Sequence, residues 1–176
     1  MDPIVARLRR VLRMEPGVFQ EIGADPTATV QAIIVVVVAS LVGGLGTIFS
    51  GDFDAVGWIL GGAYSIVGLA ITAGVIYLIS RLFQARGDYT SLFRSLGYAS
   101  APQALAIIPI LGWLAGLVWS LILAIRAVKE TQAVSGGAAA AIVLIPAAIV
   151  FVIAVILVVA LGVALVGLGV AASTEG

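Results

Sequence analysis

Residues 92–117 read LFRSLGYASAPQALAIIPILGWLAGL, and the number of times this stretch crosses a bilayer decides the fold. It is apolar enough to enter a membrane, yet it carries Gly97, Pro102, Gln103, Pro109 and Gly112. A single straight helix from Leu92 to Val128 would be about 55 Å long at 1.5 Å per residue, well beyond a hydrocarbon core about 30 Å thick. The stretch must therefore turn. Pro109-Ile110-Leu111-Gly112 is the place for it, because proline ends a helix and glycine permits a reversal. Two short spans joined by a tight turn are expected, 92–109 and 112–128.

The rest of the chain is built of the same material. Of 176 residues, 62% are hydrophobic and 10% charged, outside the range of soluble globular domains. Thr29 to Phe49 and Val56 to Ile79 are uncharged and each long enough to span. A last apolar stretch, 138–172, exceeds one upright span and must tilt, kink at Pro146 or protrude. The expectation is an all-α polytopic membrane bundle of five transmembrane helices, at about 29–49, 56–79, 92–109, 112–128 and 138–172. These form a domain over 29–176, preceded by a cytoplasmic or interfacial region over 1–28.

Charge placement supports the count. With five spans and a cytoplasmic N-terminus, all nine basic residues fall on the inner side: Arg7, Arg9, Arg10 and Arg13, then Arg81, Arg86 and Arg94, then Arg126 and Lys129. The outer segments hold Asp52, Asp54, the uncharged turn at 109–112 and Glu175. Reading 92–128 as one span would move Arg126 and Lys129 outside. Arg7, Arg10, Arg81, Arg86, Arg94, Arg126 and Lys129 thus form a candidate cytoplasmic basic face.

In PIVARLRRVLRM, Ile4, Val5, Leu8, Val11 and Leu12 recur with helical period while arginines fill the other positions, which gives a basic amphipathic helix. It either lies in the headgroups of an anionic leaflet or packs on the protein's own cytoplasmic face. No unbroken apolar core of a signal peptide occurs before Asp25, so this segment is expected to be retained. Pro16 to Gly23 places Val18, Phe19 and Ile22 on one side, and Asp25-Pro26 reads as a helix cap and first helical position.

Chemistry-bearing residues are few. The absence of Cys and His excludes disulfides, haem, iron–sulfur clusters and the usual zinc sets, and no cofactor is expected. No span carries a charge near its middle, which argues against a proton-coupled pump. Tyr98, Ser100 and Gln103 lie together where Pro102 frees an upstream carbonyl. They line a polar pocket at the kink, or Ser100 and Gln103 bond a neighbouring helix or that carbonyl. Lys129, Glu130 and Thr131 are the nearest approach to a nucleophile with a base, though a solvated connector is the ordinary reading. Gly57 with Gly61, Gly112 with Gly116, and Gly43, Gly44 and Gly46 suit close helix contact within or between copies, while Trp58, Tyr77, Trp113 and Trp119 look like interfacial anchors.

Three stretches carry a resemblance. VLRMEPGVFQEIGADPTATVQAI leads into the first span, SLFRSLGYASAPQALAIIPILGWLAGLVWSLILAIRAVKETQAVS follows the second, and a small-residue entry with Pro146 opens the last. Together they resemble the Yip1-domain family of small five-span membrane proteins. The resemblance implies a role in membrane organisation or traffic. Eukaryotic members associate with small Rab-type GTPases and carry an Asp-Leu-Tyr-Gly-Pro motif before the first span; here that region reads Asp25-Pro26-Thr27-Ala28, and only Gly97-Tyr98 matches the second signature. A Rab-binding role is not carried over, and the chain is more similar to the prokaryotic branch, with the inner membrane as its expected site.

Two functions follow. One is a non-catalytic scaffold or adaptor whose basic face recruits anionic lipid or a protein partner, with homo-oligomers through the GxxxG faces and no nucleic acid. The other is a transporter or channel for a small or lipidic solute with its pocket at the kinked third span.

Overall fold

The computed structural model describes residues 3–51 and 53–174, with side chains through residue 164. Asp52 and Glu175, counted above among the outer charges, lie outside the described residues. Helix α1 spans Pro3–Leu12, α2 Val18–Ala24, α3 Ala28–Gly44, α4 Ala55–Leu82, α5 Tyr89–Ala99, α6 Leu111–Gln132 and α7 Gly136–Thr174. A 3-10 segment, Leu45–Ser50, extends α3, and a second, Ala101–Ile107, follows α5. The chain divides into two compact units at Val143 and Leu144.

Four helical stretches are long and apolar enough to cross a membrane: Ala28–Ser50, Ala55–Leu82, Leu111–Gln132 and Gly136–Ala164. The expected span 92–109 is not a continuous helix. Pro102 has no N–H to give the turn before it, so α5 stops at Ala99 and the chain tightens into the 3-10 segment. Ser100 Oγ donates to the Gly97 carbonyl at 2.7 Å, serving one of the carbonyls at this helix end.

This broken segment runs parallel to α3. Arg94 meets Thr29, Gly97 lies against Ala32, Gln103 against Gly43 and Ala106 against Gly46. Between Ala32 and Gly46 the first stretch rises about 20 Å; the partner matches it with fewer residues because a 3-10 turn rises about 2 Å per residue against 1.5 Å in an α-helix. At the tip Ile110 takes φ 63° and ψ −70°, and the Leu111 N–H donates to the Pro109 carbonyl at 2.7 Å, a γ-turn. The turn falls where Pro109 and Gly112 placed it. Helix α6 then returns, with Gly112 against Leu105 and Gly116 against Pro102.

The core of the first unit is assembled around α5. Leu92, Leu96, Tyr98 and Ala99 are buried with Ala28, Ala32 and Val35 of α3, Leu123 and Ala127 of α6, and Ala139 and Ile142 of α7. Val18, Phe19 and Ile22 of α2 are fully buried in the same core, as their spacing suggested. Val11 of α1 is buried too, and Ile4, Leu8 and Leu12 pack against the core, so the apolar side of α1 is turned onto the protein itself. Asp25 stands at the head of α3: its carboxylate accepts from the Thr27 N–H and hydroxyl, both at 2.8 Å, while regular helix begins at Ala28. In the second unit Pro146 lies inside α7, whose side chains from Ile149 to Ala164 are exposed.

Candidate functional site

The polar residues of the kink do not share one pocket. Tyr98 is fully buried and its hydroxyl donates to Gln31 Oε1 at 2.6 Å. The same oxygen accepts from Arg7 Nη1 at 3.0 Å, and Arg7 also pairs with Asp25. A single amide inside the first span therefore joins α1, α3 and α5. Gln31 was passed over in the sequence because one amide in an apolar run carries no partner signal; its place one turn inside the span is the only mark it leaves.

The charges of this junction are set by their neighbours. Bonds from Thr27, then from Arg7, lower the Asp25 carboxyl to about 2. Burial, the largest influence on Arg7, opposes its charge, but the bond and charge of Asp25 outweigh it and raise its pKa. Arg10 is held by Glu21 at 2.7 Å and Glu15 at 2.9 Å.

The remaining basic residues divide into two sets. Arg94 Nη1 donates to the Gly23 carbonyl at 2.7 Å and Nε to Thr29 Oγ1 at 2.8 Å, while Arg126 donates to the Met14 carbonyl at 2.7 Å. Both tie the α1–α2 region down, using carbonyls at or just beyond helix ends. Arg81 lies over the Tyr77 ring at 4.8 Å and bonds its hydroxyl. The side chains of Arg9, Arg13, Arg86 and Lys129 are exposed and make no bond to other described residues. The described carboxylates offer them nothing: Glu15, Glu21 and Asp25 are paired, Asp54 and Asp88 cap α4 and α5, and Glu130 accepts the Phe19 N–H at 3.1 Å.

Lys129, Glu130 and Thr131 form no nucleophile and base pair. Thr131 donates to the Ala127 carbonyl at 2.7 Å, and Glu130 is turned to α2.

Gln103 stands apart from Tyr98 and Ser100. It is exposed and lines a groove of about 260 Å³ with Ala39, Ser40, Gly43 and Gly44 of α3, Ala106, and Trp113 and Leu117 of α6. Its side-chain amide has no partner among the described residues. The glycines around the 3-10 segment explain how three backbones come so close. A methyl at Gly43 would sit 2.7 Å from the Gln103 carbonyl oxygen, one at Gly116 2.6 Å from that of Pro102, and methyls at Gly46 and Gly112 would overlap the carbonyls of Ala106 and Leu105. Four glycines thus clasp four carbonyls of the broken segment, leaving no room for a side chain at any of them. Gly112 and Gly116 are spent inside the molecule; Gly57 approaches only the capping Asp54, and Gly61 faces open space. Trp58 is more than an anchor, since its ring N–H donates to the Leu41 carbonyl at 2.8 Å.

The Yip1 domain matches residues 10–158 of the chain. No curated protein matches it, and no solved structure does. The family match and the apolar helices together make this an integral membrane protein.

Proposed function

The chain belongs to the Yip1-domain family, and we propose that it serves there as a non-catalytic membrane scaffold or adaptor. In this reading it crosses five times with its N-terminus in the cytoplasm of a prokaryotic cell, in the plasma membrane. The parallel run of residues 94–106 beside α3 supports the fifth crossing, because a segment that keeps pace with a span from Thr29 to Gly46 travels across the bilayer with it.

The observation that carries the adaptor reading is the division of charge at the N-terminal end. Each described carboxylate on that side is engaged within the chain, whereas the cationic groups of Arg9, Arg13, Arg86 and Lys129 have no partner among the described residues and are open to another molecule. A neutral protein so built presents a positive face to anionic lipid headgroups or an acidic partner. Self-association falls to the outer face of α4, where Gly61 is open.

The test is retention of partners from native membranes by a variant with Arg9, Arg13, Arg86 and Lys129 changed to Gln. Loss of a stoichiometric partner, with Arg7, Arg94 and Arg126 left in place to hold the fold, is the expected result. Unchanged retention would remove the adaptor reading. A second reading, binding or transport of a lipidic or small solute, is favoured by the unpartnered Gln103 amide in its groove.

A further inference from the structure

Gln103 lies beside Gly43, about 20 Å along α3 from Thr29, which on the crossing reading above is within the hydrocarbon and beyond its middle. An amide there has no bulk water to bond, and an unbonded one is costly. No described residue supplies a partner. Of the other polar side chains on the groove, Ser40 directs its hydroxyl to the Gly61 carbonyl at 3.4 Å and the Trp113 indole makes no bond to the amide. The partner must come from outside the chain, and the groove limits what it can be. Its α3 side consists of Ala39, Ser40, Gly43 and Gly44, which offer nothing longer than a hydroxymethyl, and Leu117 forms part of the opposite wall. A flexible hydrocarbon chain can lie against such a surface, and a carbonyl attached to it can accept from the exposed Gln103 amide.

We propose that this groove binds an acyl chain of a glycerolipid from the leaflet opposite the N-terminus, with the lipid's ester carbonyl accepting a hydrogen bond from the Gln103 amide. The family assignment alone does not require such a site, and the adaptor reading stands or falls separately from it. Both the depth of the amide and the leaflet rest on the five-crossing reading.

The full chain is reconstituted in ester-linked phosphatidylcholine liposomes doped with a phosphatidylcholine carrying a diazirine in one acyl chain, and the labelled residues are mapped by mass spectrometry. Labelling is expected at 39–44 and 106–117 above that on Val67 and Ile71 of α4, which are exposed and line no groove. Gln103→Leu, a change at an exposed side chain that spares the fold, lowers groove labelling about fivefold, the factor that one net hydrogen bond of about 1 kcal/mol supplies. Gln103→Asn recovers part of it. Unlabelled ester lipid competes better than the ether lipid of the same chains, which lacks the carbonyl. Equal labelling of groove and α4, an unchanged Gln103→Leu, or equal competition by the ether lipid each means ordinary surrounding lipid and overturns the proposal. Cross-linking of one copy to another through the groove would also overturn it.

Discussion

The carbonyl oxygen of Leu105 occupies the place where a side chain on Gly112 would begin. The two residues stand on opposite arms of the hairpin that decides the fold. Their contact lets α6 return directly against the 3-10 segment.

Gly112→Ala should therefore force the arms apart and destabilise the protein by about 1–3 kcal/mol, the usual cost of overpacking. Gly61→Ala, which meets open space on α4, should be neutral or stabilising. Thermal unfolding of both variants in one detergent checks the pair. Equal loss in both would show that the effect is general to glycine and not to the clasp.

Ile110 holds φ 63° with a β-branched side chain that is 80% exposed. Such a residue is strained in that region, by roughly 1–3 kcal/mol where no packing compensates. Ile110→Gly is expected to raise stability by about 1 kcal/mol. A fall of that size would mean that the side chain is held by contacts that outweigh the strain.

Much of this was legible in the sequence, for physical reasons that also mark where legibility stops. A helix with one apolar side writes its period into the chain, so the buried trio Val18, Phe19 and Ile22 could be read directly. Pro109 and Gly112 announce a turn by their own backbone limits. The break after Ala99 is marked by Pro102, but a proline does not say that the chain continues as a 3-10 segment and not as a kinked α-helix. Least legible are the partners. Tyr98 and Gln31 are 67 positions apart, and Arg94 finds the Gly23 carbonyl 71 positions away. Counting charges per loop grouped Arg94 and Arg126 with the free cations, yet both bond backbone carbonyls, whose positions in space no side-chain pattern encodes.

The Asp25 junction gives a pH dependence of known sign. Its carboxyl is lowered to about 2 in the folded protein, chiefly by Thr27 and then by Arg7, against about 4 for a free carboxylate. A lowered carboxyl stabilises the fold above the unfolded value, and that stabilisation is lost as pH falls toward 2. Stability of the wild type should drop between about pH 4 and pH 2. Asp25→Asn should be less stable at pH 7 and show a shallower decline in that window. An identical decline in the variant would assign the acid sensitivity to other groups.

In the five-crossing proposal the broken segment from Leu92 to Pro109 carries the chain across the bilayer. Because the chain has no cysteine, single Cys replacements report topology without background. The decisive measurement is labelling of Ser50→Cys, Thr90→Cys, Ile110→Cys and Thr131→Cys by an impermeant maleimide in oriented membrane vesicles. The account predicts that Ser50→Cys and Ile110→Cys react from the side opposite the N-terminus, and Thr90→Cys and Thr131→Cys from the N-terminal side. Reaction of Ile110→Cys on the N-terminal side, or of Thr131→Cys on the same side as Ser50→Cys, would contradict it.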